Sequence, residues 1–237
     1  MVKSNITEKT VNERGVLQHL KVQLDDAQKI AGQTEQHLAE ARSIFLSYAR
    51  NVTNVRYTSF SEMVLEASKS AEYLTEHLRR LSLEVSLDTQ VYENYELDLV
   101  RIHGMELDYE DGVLKVTLPV LAPHRHYTDY IYKPLYVACK HWCLKQSEEK
   151  QSIPSYEKCT ICFLHQYDKN LPISRIRDHD NYEEKHVLDV LANFFMATDR
   201  GLYVDTYHMT RLAEKDGTLI YVMDSNRFCG WLSASQL

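Results

Sequence analysis

The chain has 237 residues, 44% of them apolar and 26% charged, the proportions of an ordinary globular protein. Its formal charge of −7 argues against a globally basic nucleic-acid binder, leaving only a local patch for such a role. Seven glycines and five prolines are too few for long flexible linkers, and no apolar run approaches the roughly 18 residues of a membrane helix.

The first hundred residues carry helical heptads. Leu17, Leu20, Leu24, Ala27, Ala31, Thr34, Leu38, Ala41, Phe45 and Tyr48 recur in alternating steps of three and four, the spacing of a coiled-coil seam. A second seam holds Phe60, Val64, Ala67, Ala71, Leu74, Leu78 and Leu81. Ser59 and Glu62 have the spacing of a capping box for that helix. The polar Asn51-Val52-Thr53-Asn54 lies between the seams. An antiparallel, coiled-coil-like helical hairpin over residues 1–96 is predicted. Half of the seam is small, so the hairpin is expected to dimerise, to bind another protein, or to rest on the second region.

From residue 97 the period changes. Leu99 to His103 and Val113 to Val120 read as strands, with Asp111-Gly112 before the second as a hairpin turn signal. A helix is predicted over Lys133 to Ser147 and a buried strand over Tyr156 to Tyr167. A loop from Asp168 to Asp180 leads to a helix over Tyr182 to Thr198. That helix is expected to bury Val187, Leu188, Leu191, Phe194 and Phe195. Strands over Tyr203 to Leu212 and Thr218 to Met223 flank the turn Lys215-Asp216-Gly217. The order ββαβαββ predicts an α+β domain over residues 97–237, a mixed sheet with helices packed on it.

Five cysteines form an odd set and read as reduced thiols of a cytoplasmic protein. Cys139, Cys143, Cys159 and Cys162 could supply four thiolates to zinc. Their placement on a helix and an apolar strand argues instead for buried free thiols. The chain has no Gly-rich phosphate loop, which disfavours an NTPase.

The densest chemistry lies in Arg177-Asp178-His179-Asp180-Asn181, followed after one helix by Asp205. Two carboxylates two residues apart, with a third on the next strand, are a ligand set for a hard cation such as magnesium. The chemistry served is metal-assisted phosphoryl transfer or phosphodiester hydrolysis. Asp and Asn are also favoured N-caps, so the same residues read equally well as a cap for the helix that follows.

This stretch resembles the RusA-like Holliday junction resolvases over about residues 113 to 224. Those proteins share the order of elements, a D-x-D-N-x-x-K motif before a helix, and a later Asp. The motif stands here as Asp178-His179-Asp180-Asn181-Tyr182-Glu183-Glu184-Lys185. Lys185 comes one position late, Glu184 occupies the family Lys position, and Asp205 is followed by Thr206 rather than a second Asp. The chain as a whole is also similar to uncharacterised proteins of bacterial mobile elements, a likeness that carries no function.

The resemblance implies a magnesium-dependent endonuclease for branched DNA, working as a homodimer in recombination and repair. In it Asp178, Asp180 and Asp205 would hold the metal and Lys185 would steady the scissile phosphate. Arg125, Lys133, Arg175 and Arg177 are the candidate phosphate contacts, with Tyr127, Tyr130 and Tyr132 available for stacking. The alternative expectation is a non-catalytic interaction protein. Its helical hairpin would be the working surface and the α+β part a degenerate nuclease-like scaffold.

Overall fold

The computed structural model describes residues 2–50, 57–85, 88–121, 131–171, 173–179, 182 and 184–235, with side chains of 2–14, 48–50 and 57–58 set aside. Asn51 to Asn54, His124 to Tyr127 with Arg125, Tyr130, Asp180 and Asn181 lie outside these residues. The chain divides into two compact units, Met1–Asp88 and Thr89–Leu237, the division falling eight residues before the boundary read from the heptads.

The first unit is the expected antiparallel pair, α1 (Val2–Arg50) and α2 (Tyr57–Val85). Its seam differs from the predicted one in a regular way. On α1 the inward positions are Leu20, Gln23, Ala27, Ile30, Thr34, His37, Ala41 and Ile44; on α2 they are Phe60, Met63, Ala67, Ser70, Leu74, His77 and Leu81. Every second predicted position holds, and the others move back by one residue. Leu24, expected in the seam, is therefore 57% exposed.

The reason is closeness. Ala27, Ala41 and Ala67 are buried, and side chains that short let the two helices approach tightly. The polar seam residues then find partners. His77 donates from Nε2 to the Gln23 carbonyl at 2.8 Å, and its Nδ1 faces Arg80 at 3.2 Å. Ser70 meets His37 Nδ1 at 3.3 Å. Buried polar groups with partners escape the desolvation penalty, whereas leucines at those positions would wedge the helices apart. Helix α2 already runs at Tyr57, so Ser59 and Glu62 lie inside it and do not form its cap.

The second unit is the expected α+β domain. It contains α3 (Thr89–Ile102), β1 (Glu106–Glu110), β2 (Val113–Leu118), α4 (Tyr132–Glu148), β3 (Cys159–Asp168), α5 (Lys185–Phe195), β4 (Val204–Ala213), β5 (Gly217–Asp224) and α6 (Phe228–Ala234). The order ββαβαββ is present, with α3 before it and α6 after it. Leu99 to Ile102, predicted as strand, is the end of α3. Half-buried Tyr92, Tyr95, Glu96, Leu99, Val100 and His103 recur at helical spacing, and that face decides the conformation against the β-branched residues. The first strand begins instead at Glu106.

The five strands lie in the order β1-β2-β5-β3-β4. The β1–β2 hairpin closes through Asp111 and Gly112, with φ of 49° and 73°. Two successive left-handed residues define the tight turn whose twist matches the strands. β3 sits between β4, which is parallel to it, and β5, which is antiparallel. The β3–α5–β4 passage is a crossover unit, so the Lys215-Asp216-Gly217 turn joins strands that are not neighbours.

One sheet face packs on α4 and α5. Phe163, Ile161, Val116, Ile220 and Val222 meet Leu135, Val187, Leu191 and Phe195 there, all fully buried. The other face carries α6, where Trp231 lies 4.8 Å from Tyr221 and Phe228 lies 5.1 Å from Tyr207. Being covered on both sides, β3 is buried almost throughout. All five cysteines are free. Burial pushes the Cys159 and Cys162 thiols up to about 11, as suits inert core residues. Among the described residues no helix is long and apolar enough to cross a membrane.

Candidate metal centre

The second half of β3 breaks an apolar run with His165, which is 2% exposed. On β3 the odd-numbered side chains face α4 and α5, so His165 points to the same side as Phe163. In register, Phe163 pairs with His208 and His165 with Thr210 of β4. His208 is therefore a diagonal neighbour of His165 on that face.

Glu184 completes the group from above. It is the residue at which α5 begins, with no side-chain capping bond, so its carboxylate is free to turn toward the sheet. The positive end of the helix dipole favours a negative charge there. Glu184 Oε1 lies 3.3 Å from His208 Nδ1 and 3.7 Å from His165 Nε2. Each of these three atoms is buried, and none makes a well-formed hydrogen bond; their polar neighbours are one another. All three ligand atoms lie within 4.8 Å of one another.

Stacked rings hold the imidazoles. Tyr182 lies on His165 at 4.1 Å and 12°, and Phe163 on His208 at 5.3 Å and 6°. The Tyr182 hydroxyl meets that of Tyr167, and Tyr167 also accepts the Arg177 backbone N–H. His179 stands outside, 5.5 Å from the His165 ring and 5.4 Å from that of His208, with Nε2 on the Thr210 hydroxyl at 2.8 Å. Burial pushes the Glu184 carboxyl up, but the two facing imidazoles outweigh it and hold it below the usual carboxylate range. Burial and the two other imidazoles push His179 below the ordinary histidine value, against the pull of Glu184 and Asp178. Glu184, His179 and Tyr182 also line a cleft of about 360 Å³, whose apolar wall includes Leu188, Met196 and Val204.

The residues singled out from the sequence are distributed differently. Asp178 is exposed beside this cluster. Asp205 is exposed and pairs in register with Thr160. Three residues separate it from His208 on a regular strand, so it points to the opposite face of the sheet. It is also five residues, roughly 17 Å, from Thr210, where His179 attaches. The structure thus does not bring Asp178 and Asp205 together, and Asp180 is outside the described residues. The cap reading of the motif also shifts, since α5 starts at Lys185 rather than Tyr182.

Three of the candidate cations, Lys185, Arg175 and Lys133, are engaged internally. Lys185 Nζ bonds Asp189 Oδ2 at 2.7 Å. Arg175 grips Asp216 with two bonds of 2.5 and 2.6 Å, reaches the Asp168 carbonyl, and lies over the Tyr167 ring. It ties the loop before His179 to the β4–β5 turn. Lys133 bonds Tyr92 Oη at 2.8 Å and faces Glu96 at 3.7 Å, joining α4 to α3. Arg177 is exposed; Arg125 is outside the described residues.

Two imidazoles and one carboxylate on a strand pair and a helix start thus give this α+β protein a three-donor cluster that could hold a metal ion. Residues 18–237 match the model of a family described as a family of unknown function (DUF6100), and the chain belongs to that family. No curated protein matches the chain.

Proposed function

We propose that this protein binds a first-row transition ion through His165, Glu184 and His208, and that the ion activates water for hydrolysis at the adjoining cleft. The observation that carries this reading is the convergence of three buried donor atoms that have no other partner. Buried polar atoms are normally satisfied, and each one left alone costs about 1–3 kcal/mol. Donors about 2.1 Å from a tetrahedral ion stand about 3.4 Å apart; the two separations to Glu184, 3.3 and 3.7 Å, fit that spacing, and the two imidazole nitrogens lie within 4.8 Å of one another.

Imidazole with one carboxylate suits zinc, iron, cobalt or nickel. Magnesium prefers an all-oxygen, octahedral shell, so the donor set argues against it. Three protein ligands leave a further position for water, which a zinc-like ion brings to a pKa near 7. The metal-assisted hydrolysis expected from the resolvase resemblance is thereby kept in kind and moved to other ligands. Branched DNA is a weaker expectation, because Arg175 and Lys133 are used in internal pairs. Buried free cysteines agree with a reducing, cytoplasmic setting.

The test is metal content and affinity. Protein stripped with chelator and titrated with zinc, cobalt or iron(II) in a calorimeter should take up one ion per chain. His208→Ala should weaken binding by more than the roughly 10- to 100-fold typical of losing an outer-shell partner. A chain that takes up no transition ion would refute the reading and leave the interaction protein. That second reading is favoured by the leucines exposed on the hairpin.

A further inference from the structure

The helical hairpin has two unlike sides. Its inner positions are those of the close seam. In an antiparallel pair, the residues that follow the inner ones on each helix lie on the same side, because reversing one helix brings like positions together. On α1 these are Leu17, Leu24, Ala31, Leu38 and Phe45; on α2 they are Val64, Ala71 and Leu78. The large ones among them are 41% to 66% exposed. The opposite side carries Asp26, Gln33 and Glu40 of α1 with Glu66, Tyr73 and Arg80 of α2. One side is thus apolar along its length and the other is mostly polar.

We propose that the apolar side is the interface between two copies of this chain, which form a four-helix bundle through their hairpins. Three observations select a second copy as the occupant. The first is extent. Leu17 to Phe45 spans about 42 Å at 1.5 Å per residue, and two adjacent helices are about 20 Å across. The resulting face of about 800 Å² is the share each partner gives to a standard stable interface.

The second is shape. α1 presents large side chains, while α2 presents Val64, Ala71 and Leu78 beside an outer row of Ser61, Ser68, Thr75 and Ser82. A ridge on one helix and a trough on the other become self-complementary under a two-fold axis, the requirement of an isologous dimer. The third is charge. The outer row of α2 is uncharged, so the long polar residues Lys21, Glu35 and Arg42 that edge the α1 ridge can lie over it without like-charge opposition.

The experiment is sedimentation equilibrium or light scattering on the full-length protein. Wild type should weigh twice the 27.7 kDa chain. Leu24→Lys/Leu38→Lys should run at the single-chain mass with unchanged helicity, since both side chains are exposed in the isolated hairpin. Ser68→Trp, which fills the trough without adding charge, should give the same mass. Tyr73→Lys, on the opposite side of the hairpin and 57% exposed, should remain a dimer. A monomeric wild type overturns the proposal and assigns the apolar side to another partner. A lysine double variant that stays dimeric overturns it too.

Discussion

Replacing His165 by Phe removes one donor nitrogen and keeps a flat ring against Tyr182, which stacks on it at 4.1 Å. The second unit, Thr89–Leu237, has about 150 residues, and unfolding entropy near 2.1 cal/mol/K per residue gives it about 0.3 kcal/mol/K. An ion held at 100 times its dissociation constant stabilises the folded state by about 2.7 kcal/mol. Chelator-stripped wild type should therefore rise in Tm by about 9 °C when zinc, cobalt or iron(II) is added at that excess, and much less with magnesium. His165→Phe and Glu184→Gln should lose most of this rise. The ion-free Tm of His165→Phe should stay close to that of ion-free wild type, because the loss of a buried nitrogen without a hydrogen bond offsets the loss of its attraction to Glu184, which keeps His208 at 3.3 Å. Scanning calorimetry reads both quantities. An equal metal-induced rise in wild type and both variants would refute the assignment of the ion to this cluster, and no rise with any ion would refute the site.

Asp205→Asn should leave the metal-induced Tm rise intact, since that side chain lies on the other face of the sheet; its loss would return the carboxylate triad to consideration. Ala67→Leu should destabilise the hairpin by about 1–3 kcal/mol through overpacking of the close seam, measured by urea unfolding followed at the helical circular-dichroism band. Arg175 hydrogen bonds hold the Asp216 carboxyl below its ordinary range against a small burial effect, with help from the Asp168 N–H. The stability this gives is present above the usual carboxylate range and is lost as pH falls through the depressed value. Asp216→Asn should therefore lower Tm at neutral pH and converge with wild type in strong acid, and a constant gap across the pH range would contradict that account.

The hairpin, the Asp111-Gly112 turn and the order of strands and helices after Glu106 were legible because each rests on local signals: period, turn chemistry and apolar runs. The seam was legible only in part. The two possible registers share Leu20, Ala27, Thr34 and Ala41 and differ at every other position, where the leucines favour one and the close approach that the alanines allow selects the other. The end of α3 reads as strand from sequence because Val100 and Ile102 carry strand propensity, while the helical face of Tyr92, Tyr95, Leu99 and Val100 becomes visible only in the folded unit. The ligand cluster left no local pattern. His165, Glu184 and His208 lie on three elements and meet only through the parallel register of β3 with β4. One signal was available: an imidazole, His165, directly after the mostly apolar run from Cys159 to Leu164, followed by a second histidine in the next strand. The D-x-D motif lies beside the cluster, since His179 and Glu184 fall within it, but Asp205 stands on the other face of the sheet.

The three ligands differ in how firmly they are mounted. His165 stands on a strand bonded along both edges, and His208 on the strand beside it. Glu184 stands where a loop becomes helix. Two prongs are thus fixed in spacing while the third donor sits at a loop-to-helix junction, so in the proposed site the sheet would set the ionic radius tolerated and Glu184 would supply the adjustable contact.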